Sequence, residues 1–398
     1  MRNVGIIGVG QSHFVKSRTD VTFPELVREG ADLALADAGL TMAEIGAVVF
    51  PLAPDALIGV GNGERWCVEA IGAQGKPFMR VNTGGATGLT AVQAGYVHVA
   101  SGMFDAVLVA GADRVSESMS AQSVLNKMWD VAYERLYPLN TITMLALSAQ
   151  RYNDRYGSDE RDLARVTVKN RRHASKNPHA HLRTEITEDE VLATRMISWP
   201  LKLADLCPSS SGAGAVVLVS EDFAQRLSRP VAWIRGIGQS AETFWLNDRV
   251  GPTATADYAD AGAMKESIAR AYLQAGITDP RAQLDVAELY APFSSVELHA
   301  IEAAGLSAKG ESFKLIAQGE FSLGGPGPTV NPSGGTLCTN PIAVTGLVRA
   351  AEVALQVTGR AGERQVDGAS VGLATAIGGD HQFFAAMVLA NHLEEIQV

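Results

Sequence analysis

Residues 81–88 read Val81-Asn82-Thr83-Gly84-Gly85-Ala86-Thr87-Gly88 and run directly into LTAVQAGYVHVASG, a stretch of small apolar residues with helical character. A glycine-dense turn that opens a helix brings backbone N–H groups close to a bound group. No nucleophilic side chain stands in this one, so its surroundings decide its meaning. Ahead of it lies VGIIGVG (4–10), a short apolar run ending in glycine, as a buried strand would. FPELVREGADLALADAGL (23–40) follows with helical spacing, Pro24 at its start and Gly39 at its end, and IGAVVFPLAP (45–54) reads as a second strand.

A related order returns in the second half. VAWIRGIG, AMKESIARAYLQAGI and LDVAELYAPF repeat strand, helix, strand; ALADAGLT (34–41) matches AYLQAGIT (271–278), and PLAP and LYAP close the strands that follow. A second glycine-rich turn, NPSGG (331–335), precedes another helix of small residues, TNPIAVTGLVRAAEVALQV. Each half then supplies two β-like runs, DAVLVAGAD and GAGAVVLVSE in the first, ASVGLATAIGG and FFAAMVLA in the second. Such an internal repeat of alternating strands and helices predicts two similar α/β halves, with sheets covered by helices on both faces. The two central helices are built of Ala, Gly, Thr and Val and are expected to pack closely on each other, giving a five-layer arrangement. Residues 115–205 interrupt the first half and are expected to form a functional loop domain.

Bulk composition narrows the function classes. A chain of 398 residues divides into roughly two or three domains, and 46% hydrophobic against 19% charged residues, with 40 glycines, excludes disorder. The net charge of -10 is spread along the chain, and its one basic cluster is KNRRHASKNPHAHLR (169–183), which suits a phosphorylated small molecule and not nucleic acid. Cys67, Cys207 and Cys338 are too few and too far apart for a disulfide framework or a zinc site, so no metal is expected and a reducing cytoplasm is the default. No apolar run reaches the ~18 residues of a membrane span, and no export signal is read at the start.

The ordered set VNTGGATG, ALSAQRYNDRYG, VKNRRHASKNP, CPSSSGAGAVVL, ELYAPFSSVEL, NPSGG and IGG resembles the thiolase superfamily in its sterol-carrier and lipid-transfer branch, over nearly the whole chain. The resemblance implies a thiolase-like α/β fold of duplicated βαβαβαββ halves in five αβαβα layers, residues 1–228 with a loop domain at about 115–205, then 229–398. It also implies that the catalytic machinery is altered. The family's nucleophilic cysteine, activated at a helix N-terminus, falls at Gly85. Its His-Asp-Cys-Phe-Ser stretch is Tyr290-Ala291-Pro292-Phe293-Ser294, its Gly-His-Pro is Thr339-Asn340-Pro341, and the cysteine that other members carry before the last Gly-Gly is Ala376.

Acyl transfer through a thioester needs a nucleophile and a base. With both replaced, the expected chemistry is retro-aldol cleavage of a β-hydroxyacyl-CoA to a ketone and a short acyl-CoA such as propionyl-CoA, with no covalent acyl-enzyme. The resemblance points to bacterial steroid side-chain aldolases in particular. Expected site residues are Tyr290 and His381 for protons, Asn340 and the Gly85 and Gly379 amides for oxygens, with Gly85 also leaving room for substrate. Lys169, Arg171, Arg172 and His173 are expected to hold the phosphates of coenzyme A, which enters as part of the substrate and not as a bound cofactor. The implied partners are a second copy of the chain and a small subunit with a zinc ribbon and an OB-fold. Alternatives left open are a non-catalytic acyl-CoA-binding or scaffold subunit, and an acyltransferase using another residue such as Cys338.

Overall fold

The computed structural model describes residues 1–115, 117, 120–249, 257 and 259–395. The first half supplies strands β1 (Val4–Gln11), β2 (Ala47–Pro51), β3 (Phe78–Val81), β4 (Ala106–Arg114) and β5 (Ser211–Ser220). The second supplies β6 (Ala232–Ala241), β7 (Val286–Glu288), β8 (Thr329–Val330), β9 (Val371–Gly378) and β10 (Phe383–Ala390). They lie in the order β8-β7-β9-β10-β6-β1-β5-β4-β2-β3. Read outward from the centre, the halves run 1-5-4-2-3 and 6-10-9-7-8, the same path with each number raised by five. Directions agree as well: the inner pairings are antiparallel, while β4–β2–β3 and β9–β7–β8 are parallel. The halves join where β1 meets β6, through Gly5 with Trp233 and Ile6 with Ala232.

The helices complete the layers. α1 (Phe23–Ala38) covers the first half from outside and α5 (Gly262–Ala275) the second, while α2 (Thr87–Ala100) and α7 (Ile342–Val357) pack on each other between them. This is the expected five-layer α/β arrangement. The punctuation of α1 follows the sequence: Thr22 and Glu25 form a capping box, Pro24 stands in the first turn, and Gly39 ends the helix at φ 68°. At the centre, a Cβ on Gly88 would lie 2.5 Å from Leu347 N, and one on Gly346 would lie 2.7 Å from Leu89 N. The central helices therefore touch backbone to backbone, which only glycine at both crossing positions permits.

Between β4 and β5 the chain forms α3 (Thr141–Tyr156), α4 (Glu160–Ser175) and a small hairpin, Met196–Ser198 with Leu201–Lys202. α4 reaches across to the second half and packs on α6 (Ser294–Ala303). The insertion thereby comes to lie over the ends of the parallel strands.

Candidate active site

Parallel α/β sheets place their ligand sites beyond the carboxyl ends of the strands, where the connecting loops diverge. Here the turn after β3, the segment after β7 and the end of β9 converge on one cavity. Its wall includes Gly85, Tyr290, Asn340, Gly379 and His381, together with Cys207, Asp380 and apolar side chains of the insertion such as Leu125, Met128 and Leu145. The five residues expected to act on substrate are thus brought together.

The turn at 82–87 is held by its own polar side chains. Asn82 Oδ1 accepts from Gly84 N at 3.0 Å, and Thr87 Oγ1 accepts from Thr83 N at 2.8 Å. Gly84 takes φ 62°, and a Cβ on it would stand 3.1 Å from Gly379 N, so the two glycine turns abut. At Gly85 the added Cβ would lie 2.8 Å from the Tyr290 hydroxyl and 2.5 Å from Ile377 O. The expectation of free space at Gly85 is therefore corrected. The volume that a side chain would enter is taken by the tyrosine hydroxyl.

Tyr290 is buried, and its N–H donates to Thr375 Oγ1 at 2.9 Å, which fixes the start of the segment on β9. Its hydroxyl faces Asn340 Oδ1 at 3.4 Å. Burial is the main cause of a phenol pushed well above its ordinary value. Tyr290 therefore stays protonated, so its O–H can donate a hydrogen bond and cannot serve as a resting base.

Asn340 is oriented from several sides. Thr345 Oγ1 donates to its Oδ1 at 3.0 Å, its Nδ2 donates to Cys207 Sγ at 3.1 Å, and its N–H donates to Ser210 Oγ at 3.1 Å. Cys207 was not singled out from the sequence, although the motif CPSSSG holds it. Its N–H donates to Pro292 O at 2.9 Å, which ties it to the Tyr290 segment. Burial pushes the thiol up to about 11, so it is not a resting thiolate. Cys338, the expected alternative nucleophile, is buried with Ala174 and Ala180 away from this cavity, and burial pushes it up to about 12.

His381 lines the cavity, but desolvation, with His299 and Arg249 nearby, pushes its imidazole down to about 3. A ring so reluctant to charge can accept a hydrogen bond and is too weak to hold a proton as general base. Its neighbour Asp380 shares the wall and is pushed up to about 7, chiefly by burial.

The basic cluster divides by helical periodicity. Lys169 and His173, four apart on α4, are on its buried face. Lys169 Nζ lies 2.9 Å from Glu297 Oε1 and donates to Val330 O at 2.9 Å. His173 accepts from Leu323 N at 3.0 Å through Nε2, so its Nδ1 donates to Asn331 O at 3.0 Å. Both are committed to packing, which corrects their expected role toward coenzyme A. Arg172 is exposed, and Arg171 is half-buried with one bond to Thr184 O at 3.2 Å. Among the described residues, no group of three or more His, Cys, Asp or Glu side chains is arranged to hold a metal ion.

Comparison with known proteins agrees with this architecture. The thiolase N-terminal domain model matches residues 4–222, and the thiolase C-terminal domain-like model matches residues 249–391. An acetyl-CoA acetyltransferase of Methanothermobacter thermautotrophicus is 31% identical over 95% of this chain and 97% of its own length. Sterol carrier protein 2 of Gallus gallus is 30% identical over 92% of this chain and 68% of its own. Among solved structures, an Ltp2-ChsH2(DUF35) aldolase superposes with TM-score 0.82 at 27% identity, covering 98% of this chain and 97% of that one. A monomeric SCP2-thiolase-like protein of Mycobacterium smegmatis shares the fold at TM-score 0.74 and 19% identity, covering 99% of this chain and 78% of that one. The chain therefore belongs to the thiolase superfamily, in the branch typified by sterol carrier protein 2.

Proposed function

We propose that this protein cleaves a β-hydroxyacyl-CoA by a retro-aldol reaction, releasing a ketone and a shorter acyl-CoA. The observation that carries the reading is the Tyr290 hydroxyl 2.8 Å from where a side chain at position 85 would begin. The place from which relatives of this fold attack a thioester holds a proton donor here. A donor facing a thioester oxygen stabilises an enolate, and an enolate is what breaking Cα–Cβ leaves behind.

In this reaction the substrate hydroxyl loses its proton, its oxygen becomes a carbonyl, and the Cα–Cβ pair moves into the thioester enolate. Tyr290 turns its one O–H from Asn340 Oδ1 to the enolate oxygen, and the enolate is protonated at Cα. The similarity to an aldolase structure at TM-score 0.82 supports the class of reaction. Acyl transfer would instead need a thiolate, and burial holds Cys207 in the opposite state. Arg171 and Arg172 remain as candidates for the phosphates of the coenzyme A portion. A DUF35-type subunit and a second copy of this chain are the partners proposed for the working assembly.

The test offers a tertiary β-hydroxyacyl-CoA to the protein, alone and co-purified with a DUF35 subunit, and follows release of ketone and acyl-CoA. Tyr290→Phe is expected to lower kcat by roughly 10²–10³, the usual loss of one oxyanion donor. Cleavage by Tyr290→Phe at the parent's rate would remove the phenol from the chemistry.

A further inference from the structure

The turn at the end of β9 carries two features that packing does not explain. Asp380 and His381 both adopt left-handed backbone, φ 51° and 63°, although neither is glycine. Such residues cost of order 1–3 kcal/mol each and cluster at functional sites. The turn is held by its neighbours: Gln382 N donates to Gly378 O at 3.0 Å, Glu242 N to Gln382 O at 2.7 Å, and Arg249 to Asp380 O at 2.9 Å.

The second feature is what this turn holds. Both carboxylate oxygens of Asp380 are buried and accept no hydrogen bond among the described residues. Asp113 and Asp205, both buried, are by contrast engaged at both oxygens. Asp113 accepts from Ala343 N at 2.9 Å and Arg114 N at 2.8 Å, and Asp205 from Lys202 N at 2.9 Å and Ser294 Oγ at 2.8 Å. A carboxylate left without donors in a buried place costs several kcal/mol unless a ligand completes it. Asp380 lines the same cavity as Tyr290 and Asn340.

We propose that Asp380 is a catalytic residue, the base that takes the proton of the substrate's β-hydroxyl group. The inference rests on the retro-aldol reading. The O–H proton passes to the carboxylate, the freed pair forms the ketone C=O, Cα–Cβ breaks, and its electrons reach the enolate oxygen under Tyr290. The proton then returns to Cα, so that Asp380 ends ionised and no further reactant is consumed.

The groups that set its ionisation are Arg249, which favours the charged form, and Glu134, which opposes it; His381 beside it is held neutral. Burial outweighs Arg249 and raises the carboxyl from its ordinary 3.8 to about 7. A base with that value is ionised above neutrality, so the cleavage rate rises with pH through about 7. Stability runs the other way. The advantage of burying the neutral acid is complete below the unfolded value and is lost as pH rises through about 7.

The decisive variant is Asp380→Asn, because asparagine tolerates left-handed backbone and keeps the shape. With the tertiary β-hydroxyacyl-CoA and the assembly used above, kcat is expected to fall by ~10²–10⁴, with KM within a few-fold. The rise of rate with pH near 7 should vanish, and Asp380→Glu should restore part of it. The melting temperature of the Asn variant should exceed the parent's at pH 8, and the gap should shrink at pH 5. A parent that cleaves alongside an equally fast Asn variant overturns this inference alone. A variant that melts lower than the parent at both pH values makes Asp380 structural and also overturns it. No cleavage by the parent at any pH overturns the retro-aldol reading, and Asp380 as its base with it.

Discussion

The two glycine turns, 82–88 and 331–335, occupy matching places in the duplicated halves, each between an outermost strand and a central helix, and they have come to opposite uses. In the second half, Asn331 Oδ1 accepts from Leu289 N at 2.8 Å and its Nδ2 donates to Glu297 at 2.7 Å. Ser333 N and Oγ both donate to Glu288 at 2.9 Å, and Arg349 Nη1 closes on that carboxylate at 2.5 Å. All of these side chains are buried. The turn is sealed by charge. In the first half, the turn meets an uncharged phenol and an open cavity. Duplication supplied one backbone device twice, and the side chains brought against it by other segments made one copy a support and the other the wall of a cavity.

The largest way to break that contrast is at the sealed turn. Glu288→Gln leaves the Arg349 guanidinium, 1% exposed, without its counter-charge. Removing one partner of a buried pair costs about 3–5 kcal/mol. Denaturant unfolding should show a loss of this size, and a change under 1 kcal/mol would mean that the turn does not depend on the pair. A smaller effect is expected at the open turn. Gly85→Ala drives a methyl toward the Tyr290 hydroxyl and Ile377 O and should destabilise by about 1–3 kcal/mol, as overpacking does. In a Tyr290→Phe background part of that loss should disappear, because one of the two obstructing oxygens is gone. Strict additivity of the two changes would show that the phenol is not what fills the space.

How much of this was legible in the sequence follows from the range of each signal. The caps of α1 at Pro24 and Gly39, the repeated turns and the crossing of two small-residue helices are written within a few neighbouring positions, and the structure places them as read. The gathering of Gly85, Tyr290, Asn340, Gly379 and His381 was legible through ordered motifs. The fate of Lys169 was not, because its partner Glu297 lies 128 positions later on another helix. Four-residue spacing with His173 and Val166 and Ala174 on the same face was a signal that the charges on α4 are divided between core and solvent. Nor do adjacent letters say which of Asp380 and His381 titrates near neutrality. Burial pushes an acid up and an imidazole down, so the same enclosure makes the carboxylate the stronger base.

That division of α4 sets the smallest effects. The side chains of Arg171 and Arg172 make little use of the fold: among the described residues they make one hydrogen bond, from Arg171 to Thr184 O. If they attract the phosphates of a coenzyme A thioester, Arg172→Ala should raise KM a few-fold, roughly the ~1 kcal/mol typical of an exposed charge pair. The melting temperature and kcat should stay where they are. Lys169→Ala should do the reverse, because it strands Glu297 in the core: the fold weakens, while KM for the thioester in the surviving folded fraction is unchanged. Measured side by side, the two variants separate a charge that serves the ligand from one that serves the protein. An Arg172→Ala enzyme with an unaltered KM, at low salt where screening is least, would move the phosphate contact off this helix.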